Sequence, residues 1–206
     1  MHFNALSKTS VEILAFLSSS LRESFTVRQI AHGIGQDYRI TYEMTMRLIK
    51  GRYVIAEKRR RPVTYCKLNI KGNAAILAYI EGIRASRFLA GHRDIDVVLK
   101  ALSERIATPF FTMILFGSHI KGTASRRSDL DALFIVPDRK RETDISSAVA
   151  SVERTTPYGI HEVILTNDDF TTLLKEGATN VAWEALENRI VPYGAEPLFK
   201  MLEKVI

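Results

Sequence analysis

Apolar positions recur along the chain at two spacings, and the switches between those spacings lay out its elements. Ile13, Leu14, Leu17 and Leu21 return at helical spacing and predict a first helix. Thr26-x-x-Gln29 is a capping-box start for a second, over residues 27–32, which Gly33-Ile34-Gly35 interrupts. Ile40, Met44 and Leu48 predict the inward face of a third helix that ends near Gly51. Residues 53–56 and 63–68 then read as two strands around Glu57-Lys58-Arg59-Arg60-Arg61-Pro62. Ile76, Leu77, Ile80 and Ile83 form the stripe of a helix over residues 73–89, and residues 94–106 give another. Downstream, continuous apolar runs predict strands at 112–116 and 132–136, and Pro157 bounds a third at 160–166. Helices are expected at 142–154, 168–176, 180–190 and 196–205. The reading is a mixed α/β chain with a helical and hairpin front half and a small sheet with flanking helices behind it.

Composition sharpens that division. The chain has 206 residues and a formal net charge of +6, but residues 1–92 carry net +9 and residues 93–206 net −3. A basic module joined to a mildly acidic one predicts domains at 1–72 and 93–206 with a linker helix over 73–92. Cys66 is the sole cysteine, so no intrachain disulfide can form. It shares a strand face with Leu68 and Ile70, which suits a small buried hydrophobe. Five histidines and one cysteine show no zinc spacing. No signal segment opens the sequence and no apolar run approaches the roughly 18 residues that span a bilayer, so a cytoplasmic protein without a membrane partner is expected. Trp183, with Val181, Leu186 and Ile190 at helical spacing, is assigned to the core.

The chemistry concentrates in one stretch. Gly117-Ser118 ends the 112–116 run, ten residues follow, and Asp129-Leu130-Asp131 opens the next apolar run. Alternate strand residues face the same side, so both carboxylates share a face. At a separation of about 4 Å they repel by about 1 kcal/mol in water and about 4 kcal/mol at an effective dielectric of 20. A cation belongs between them, either a divalent metal or one of Lys121, Arg126 and Arg127. The glycine ahead of them lets a phosphate approach the backbone, and a hydroxyl beside free N–H groups at a turn makes an anion cradle.

Strand, Gly117-Ser118, ten residues, Asp129-x-Asp131 and strand together resemble the polymerase-beta-like nucleotidyltransferases, in particular their minimal, MNT-type members paired with HEPN toxins. The resemblance covers about residues 110–136. It implies that Gly117, Ser118, Lys121 and Arg126 contact the triphosphate of ATP or another NTP. It also implies that Asp129 and Asp131 hold two Mg²⁺ ions about 3.5–4 Å apart, which clamp an in-line displacement at the α-phosphorus. Active members supply a third acid from a later strand, and Glu162 is the candidate for that catalytic and metal-binding place, with His161 on the opposite face. Asp168 and Asp169 are better explained as first-turn acids after a Thr166-x-x-Asp169 cap.

The front half follows a helix-turn-helix pattern with a basic hairpin, and so resembles a winged helix-turn-helix domain. In that likeness Arg39, Tyr42, Glu43 and Arg47 project from the third helix toward bases, and Lys58, Arg59, Arg60 and Arg61 meet DNA phosphates. Each neutralised phosphate contributes about −0.9 to the log-log salt slope. Winged helices also serve as dimerisation or protein-docking modules, and a homodimer through the 73–89 helix is expected. Three functions fit the sequence. The leading one is a nucleotidyltransferase that transfers AMP to a hydroxyl of a protein or small molecule and carries its own DNA-binding domain. The others are a transcriptional regulator whose transferase fold is degenerate or nucleotide-sensing, and an antitoxin-like partner of a toxin.

Overall fold

The computed structural model describes residues 6–60, 63–125, 128–177 and 179–205, with the side chains of residues 58–60 left aside. Its first helix, α1 (Lys8–Ser18), starts at a Ser7 cap and buries Ile13, Leu14 and Leu17. A two-residue strand, β1 (Phe25–Thr26), leads into α2 (Val27–Gly33), where Thr26 and Gln29 complete the expected capping box. Asp37 caps α3 (Tyr38–Lys50). This helix buries Thr41, Thr45 and Leu48, while Ile40 stays 47% exposed and Met44 half-buried. The expected apolar stripe is therefore rotated. Thr41 can face inward because its hydroxyl donates to the Asp37 carbonyl at 2.8 Å, leaving its methyl to pack.

The predicted hairpin forms from β2 (Val54–Arg60) and β3 (Val63–Leu68), and β1 adds to it in the order β1-β3-β2. Cys66 is fully buried, and that burial pushes its thiol up to about 11. Two helices follow, α4 (Ala74–Gly91) and α5 (Arg93–Arg105).

The second sheet takes its strands from the rest of the chain. β4 (Thr112–Phe116) turns through the short α6 (Gly117–Lys121) to β5 (Leu130–Val136). α7 (Glu142–Glu153) precedes β6 (Ile160–Thr166), and α8 (Asn167–Glu176) starts on the Thr166 cap. α9 (Val181–Leu186), β7 (Ile190–Tyr193) and α10 (Ala195–Leu202) follow. The strand order is β6-β5-β4-β7, with β5 and β6 parallel and the other pairs antiparallel. The helix expected over 180–190 stops four residues short of Ile190. Asn188 adopts a positive φ of 51°, and Ile190 instead pairs with Leu115 across β4. Pro192 is tolerated there because β7 is an edge strand.

The sheet is buried on both faces. Met113, Leu115, Leu130, Ala132, Phe134 and Val136 pack with residues of α5 and α7. Ile114, Phe116, Leu133 and Ile135 pack with α8, α9 and α10, in a core that runs on into α1, α2 and the first sheet. α4 contributes Ile76, Leu77 and Ile80 to that continuous core and Ala85 to the other. No described helix is long and apolar enough to cross a membrane.

Candidate active site

The two acids sit at the entry to β5, beside the turn that leaves β4. Phe116 pairs with Asp131, and the chain then reverses at Gly117 with a φ of +74°, a conformation that disfavours any side chain. A Cβ at residue 117 would overlap the Asp131 carboxylate. On the other side, the N–H of Leu130 donates to the Gly159 carbonyl at 2.8 Å, drawing the lead-in to β6 alongside. A Cβ at residue 159 would overlap the Asp129 carboxylate. Each acid therefore lies on a glycine. Phe116 offers no side-chain cap to α6, so the first N–H groups of that turn, beside Ser118, stay available to an acceptor.

Strand pairing decides which residues join the acids. Asp131 pairs with His161 and Ala132 with Glu162 in the parallel β5/β6 ladder. Paired residues face the same side, so His161 flanks Asp131, with Nδ1 3.0 Å from Oδ1. Glu162 lies on the opposite face, the one Ala132 uses to pack toward α5 and α7. The expected facing of these two residues is thus reversed, because the register between the strands fixes it. Among the described residues, no three His, Cys, Asp or Glu side chains form a ready metal cage.

Beside Asp129 opens a cleft of about 470 Å³, lined by Asp94, His119, Ser125, Ser128 and Tyr158. The Tyr158 hydroxyl donates to the Asp94 carboxylate at the start of α5. That bond holds Asp94 below the usual carboxylate range and, with burial, pushes Tyr158 up to about 12. His119 Nε2 donates to the Ser128 carbonyl at 3.0 Å, and its ring meets Tyr158 edge-on.

Sequence reasoning missed Asp94, His119, Tyr158 and Gly159. Only Gly159 carried a local signal, as a turn residue ahead of a strand. Lys121 is exposed at the end of α6, while Arg126 and Arg127 lie outside the described residues. On the first half, Arg39, Tyr42 and Arg47 are exposed along α3, and Arg39 pairs loosely with Glu43 at 3.5 Å. The backbone of Lys58, Arg59 and Arg60 runs in β2, but their side chains and all of Arg61 lie outside the described residues.

Residues 93–191 match the family model of the nucleotidyltransferase domain. This segment is similar to nucleotidyltransferase domains. The match spans β4, β5 and β6, with both acids, the Gly117-Ser118 turn and the Asp94 cleft inside it. Searches of curated proteins and of solved structures gave no match. The donor set at the entry to β5 fits a hard divalent cation. Two carboxylates lie two residues apart at the entry to β5, neither pairs with a described lysine or arginine, and a glycine lies beneath each.

Proposed function

We propose that the protein is a Mg²⁺-class, metal-dependent nucleotidyltransferase that transfers AMP from ATP to a hydroxyl of a protein or small molecule. We also propose that residues 1–72 form a winged helix-turn-helix module that binds DNA. The observation that carries the first reading is the seating of Asp129 and Asp131 on Gly159 and Gly117, beside an uncapped helix turn. Charge repulsion between two such acids is relieved when a cation bridges them. Bound there, divalent ions would neutralise charge that builds on the phosphates during in-line displacement. The residues then have separable tasks. The turn N–H groups and the Ser118 hydroxyl grip the triphosphate, Lys121 and Arg126 add phosphate contacts, and Asp129 and Asp131 hold the cations. The Asp94–Tyr158 cleft beside Asp129 receives the acceptor, whose hydroxyl needs positioning more than covalent help.

The DNA-binding reading is supported by the +9 front half, by α3 with its exposed Arg39, Tyr42 and Arg47, and by the hairpin whose β2 backbone includes Lys58, Arg59 and Arg60. One observation favours a second reading, a regulator or antitoxin-like protein that senses nucleotide without transferring it. Glu162, the expected third acid, faces away from Asp131.

One assay separates the two readings. Wild-type protein and the Asp129→Asn and Asp131→Asn variants are incubated with NTPs labelled at the α-phosphate, divalent metal and candidate acceptors. Transfer that falls about 10²–10³-fold in both variants is expected. Nucleotide binding without any transfer in the wild type would favour the sensing role, and transfer indifferent to both substitutions would remove the acids from the reaction.

A further inference from the structure

We infer that Arg52 is a phosphate-contacting residue of the front module, and that the turn ending α3 holds its guanidinium out toward the backbone of bound DNA. The inference rests on the DNA-binding reading of residues 1–72 and adds to it a residue kept in place against its own backbone preference.

The turn after α3 closes with a bond pattern that ends many helices on glycine. The Tyr53 N–H donates back to the Leu48 carbonyl at 2.9 Å, and the Arg52 N–H to the Ile49 carbonyl at 3.0 Å. In that pattern the residue before the outer donor takes a left-handed backbone, and glycine usually fills the place. Here glycine comes one residue early. Gly51 has an ordinary helical φ of −74°, and Arg52 takes the left-handed place with a φ of +62°. Elsewhere among the described residues, positive φ falls on six glycines and on Asn188, whose short amide tolerates it. A long side chain gains nothing from such a backbone, which costs it stability.

The surroundings hold Arg52 there. The side-chain amides of Asn69 and Asn73 both donate to the Arg52 carbonyl, so residues that follow the hairpin brace the turn. Strain braced in this way is characteristic of functional positions. The guanidinium takes no part in the brace. It is exposed, and it makes no hydrogen bond or ion pair with a described residue. Nor does the end of the helix require it, because Arg47 and Lys50 already place two cations in the last turn of α3. Its position points to a partner outside the chain. Arg52 stands where the chain passes from α3, the helix assigned to the groove, into β2 of the basic hairpin. Phosphates wall that groove, and the planar fork of arginine matches their oxygens.

The test uses the full chain, a short fluorescein-labelled DNA duplex of mixed sequence, and fluorescence anisotropy over a series of salt concentrations. Arg52→Gly relieves the backbone and removes the charge, so it is expected to melt about 2–4 °C higher and yet to bind the duplex more weakly. Its log-log salt slope should be shallower by about 0.9, the share of one phosphate. Arg52→Lys keeps both the charge and the strained backbone, and should keep the wild-type slope and melting temperature. Lys175→Gln, which removes an exposed cation from α8, should change neither.

A wild-type slope in Arg52→Gly, or an equal flattening in Lys175→Gln, would overturn the role of Arg52 and leave the DNA-binding reading standing. An Arg52→Gly variant that melts no higher than wild type would overturn the claim that the turn holds this residue against its preference. Wild-type protein that fails to bind the duplex at any salt concentration would overturn both this inference and the reading beneath it.

Discussion

Glu81 and Asp131 are both carboxylates in well-packed surroundings, yet the chain treats their charges in opposite ways. Glu81 is fully buried, and a hydroxyl and two guanidinium groups bind its oxygens. The Ser18 hydroxyl donates at 2.6 Å, Arg84 donates through one nitrogen to both oxygens at 2.9 and 2.8 Å, and Arg189 donates at 2.7 Å. Arg189 is itself fully buried and also donates to the carbonyls of Ser18 and Leu186, each at 3.0 Å. Burial lowers Arg189 to about 10 against the pull of Glu81, which leaves it protonated at neutral pH. Asp131, by contrast, meets one imidazole ring, and Asp129 forms no ion pair with a described residue. A charge that the fold cancels with its own groups is structural. Two charges left at the entry to one strand, each over a glycine, suit a cation from outside.

The largest effect expected from breaking this contrast is at Glu81. Glu81→Ala would leave Arg84 and Arg189 facing each other with no counter-charge, and should cost about 3–5 kcal/mol of stability in a denaturant titration. The loss should extend to both halves, because the cluster ties the end of α1 to α4 and to the residue before β7. Asp131→Asn, measured without metal, should leave stability nearly unchanged. Equal losses in the two variants would erase the distinction between them.

Such a contrast is only partly visible before the chain folds. Local signals were legible because their causes are local. The Thr26/Gln29 box and the Thr166 cap each involve residues three apart, and the acid pair sits two apart at the entry to one strand. Facing across strands is another matter. Whether His161 or Glu162 joins Asp131 depends on the β5/β6 register, which no spacing within either strand records. The same holds for Glu81 and Arg189, which meet across 108 positions. α3 misled differently, since an apolar stripe suggested its buried face while two threonines took the core positions. Ile190 alone of β7 falls within the helix expected over 180–190, because it continues a helical spacing that Asn188 interrupts through its backbone.

A middle-sized effect sharpens the comparison at the glycines. Gly117 and Gly122 have nearly the same backbone, with φ of +74° and +71°, but a Cβ at 122 would meet open space. Alanine at either should cost about 1–2 kcal/mol for the left-handed conformation. Only Gly117→Ala also pushes against the Asp131 carboxylate, so its thermal melt should fall at least as far as that of Gly122→Ala, and nucleotide transfer should fall in that variant alone. Equal activity losses in both would mean that the glycine is needed for the turn and not for the acid it supports.

The smallest effect lies at the edge of the cleft, where a carboxylate is held neither by a buried cation nor for a metal, but by a phenol. Tyr158→Phe removes the hydrogen bond to Asp94 and spares the ring. Because that bond lowers Asp94, it adds stability above the ordinary carboxylate value of 3.8, and this is lost as pH falls through the lowered one. Tyr158 moves in the other direction. Raised from 10.0 to about 12, it contributes stability that is complete below pH 10 and lost as pH climbs toward 12. The two limbs belong to one bond, so the gap between wild type and variant should be widest and flat across neutral pH and should close at both ends. Asp94 is exposed, and water screens the bond enough that the gap should be slight beside the Glu81 loss. Chemical denaturation at a series of pH values measures it. A gap that persists below the Asp94 transition would assign the Tyr158 contribution to ring packing against His119, a contact that phenylalanine keeps only in part.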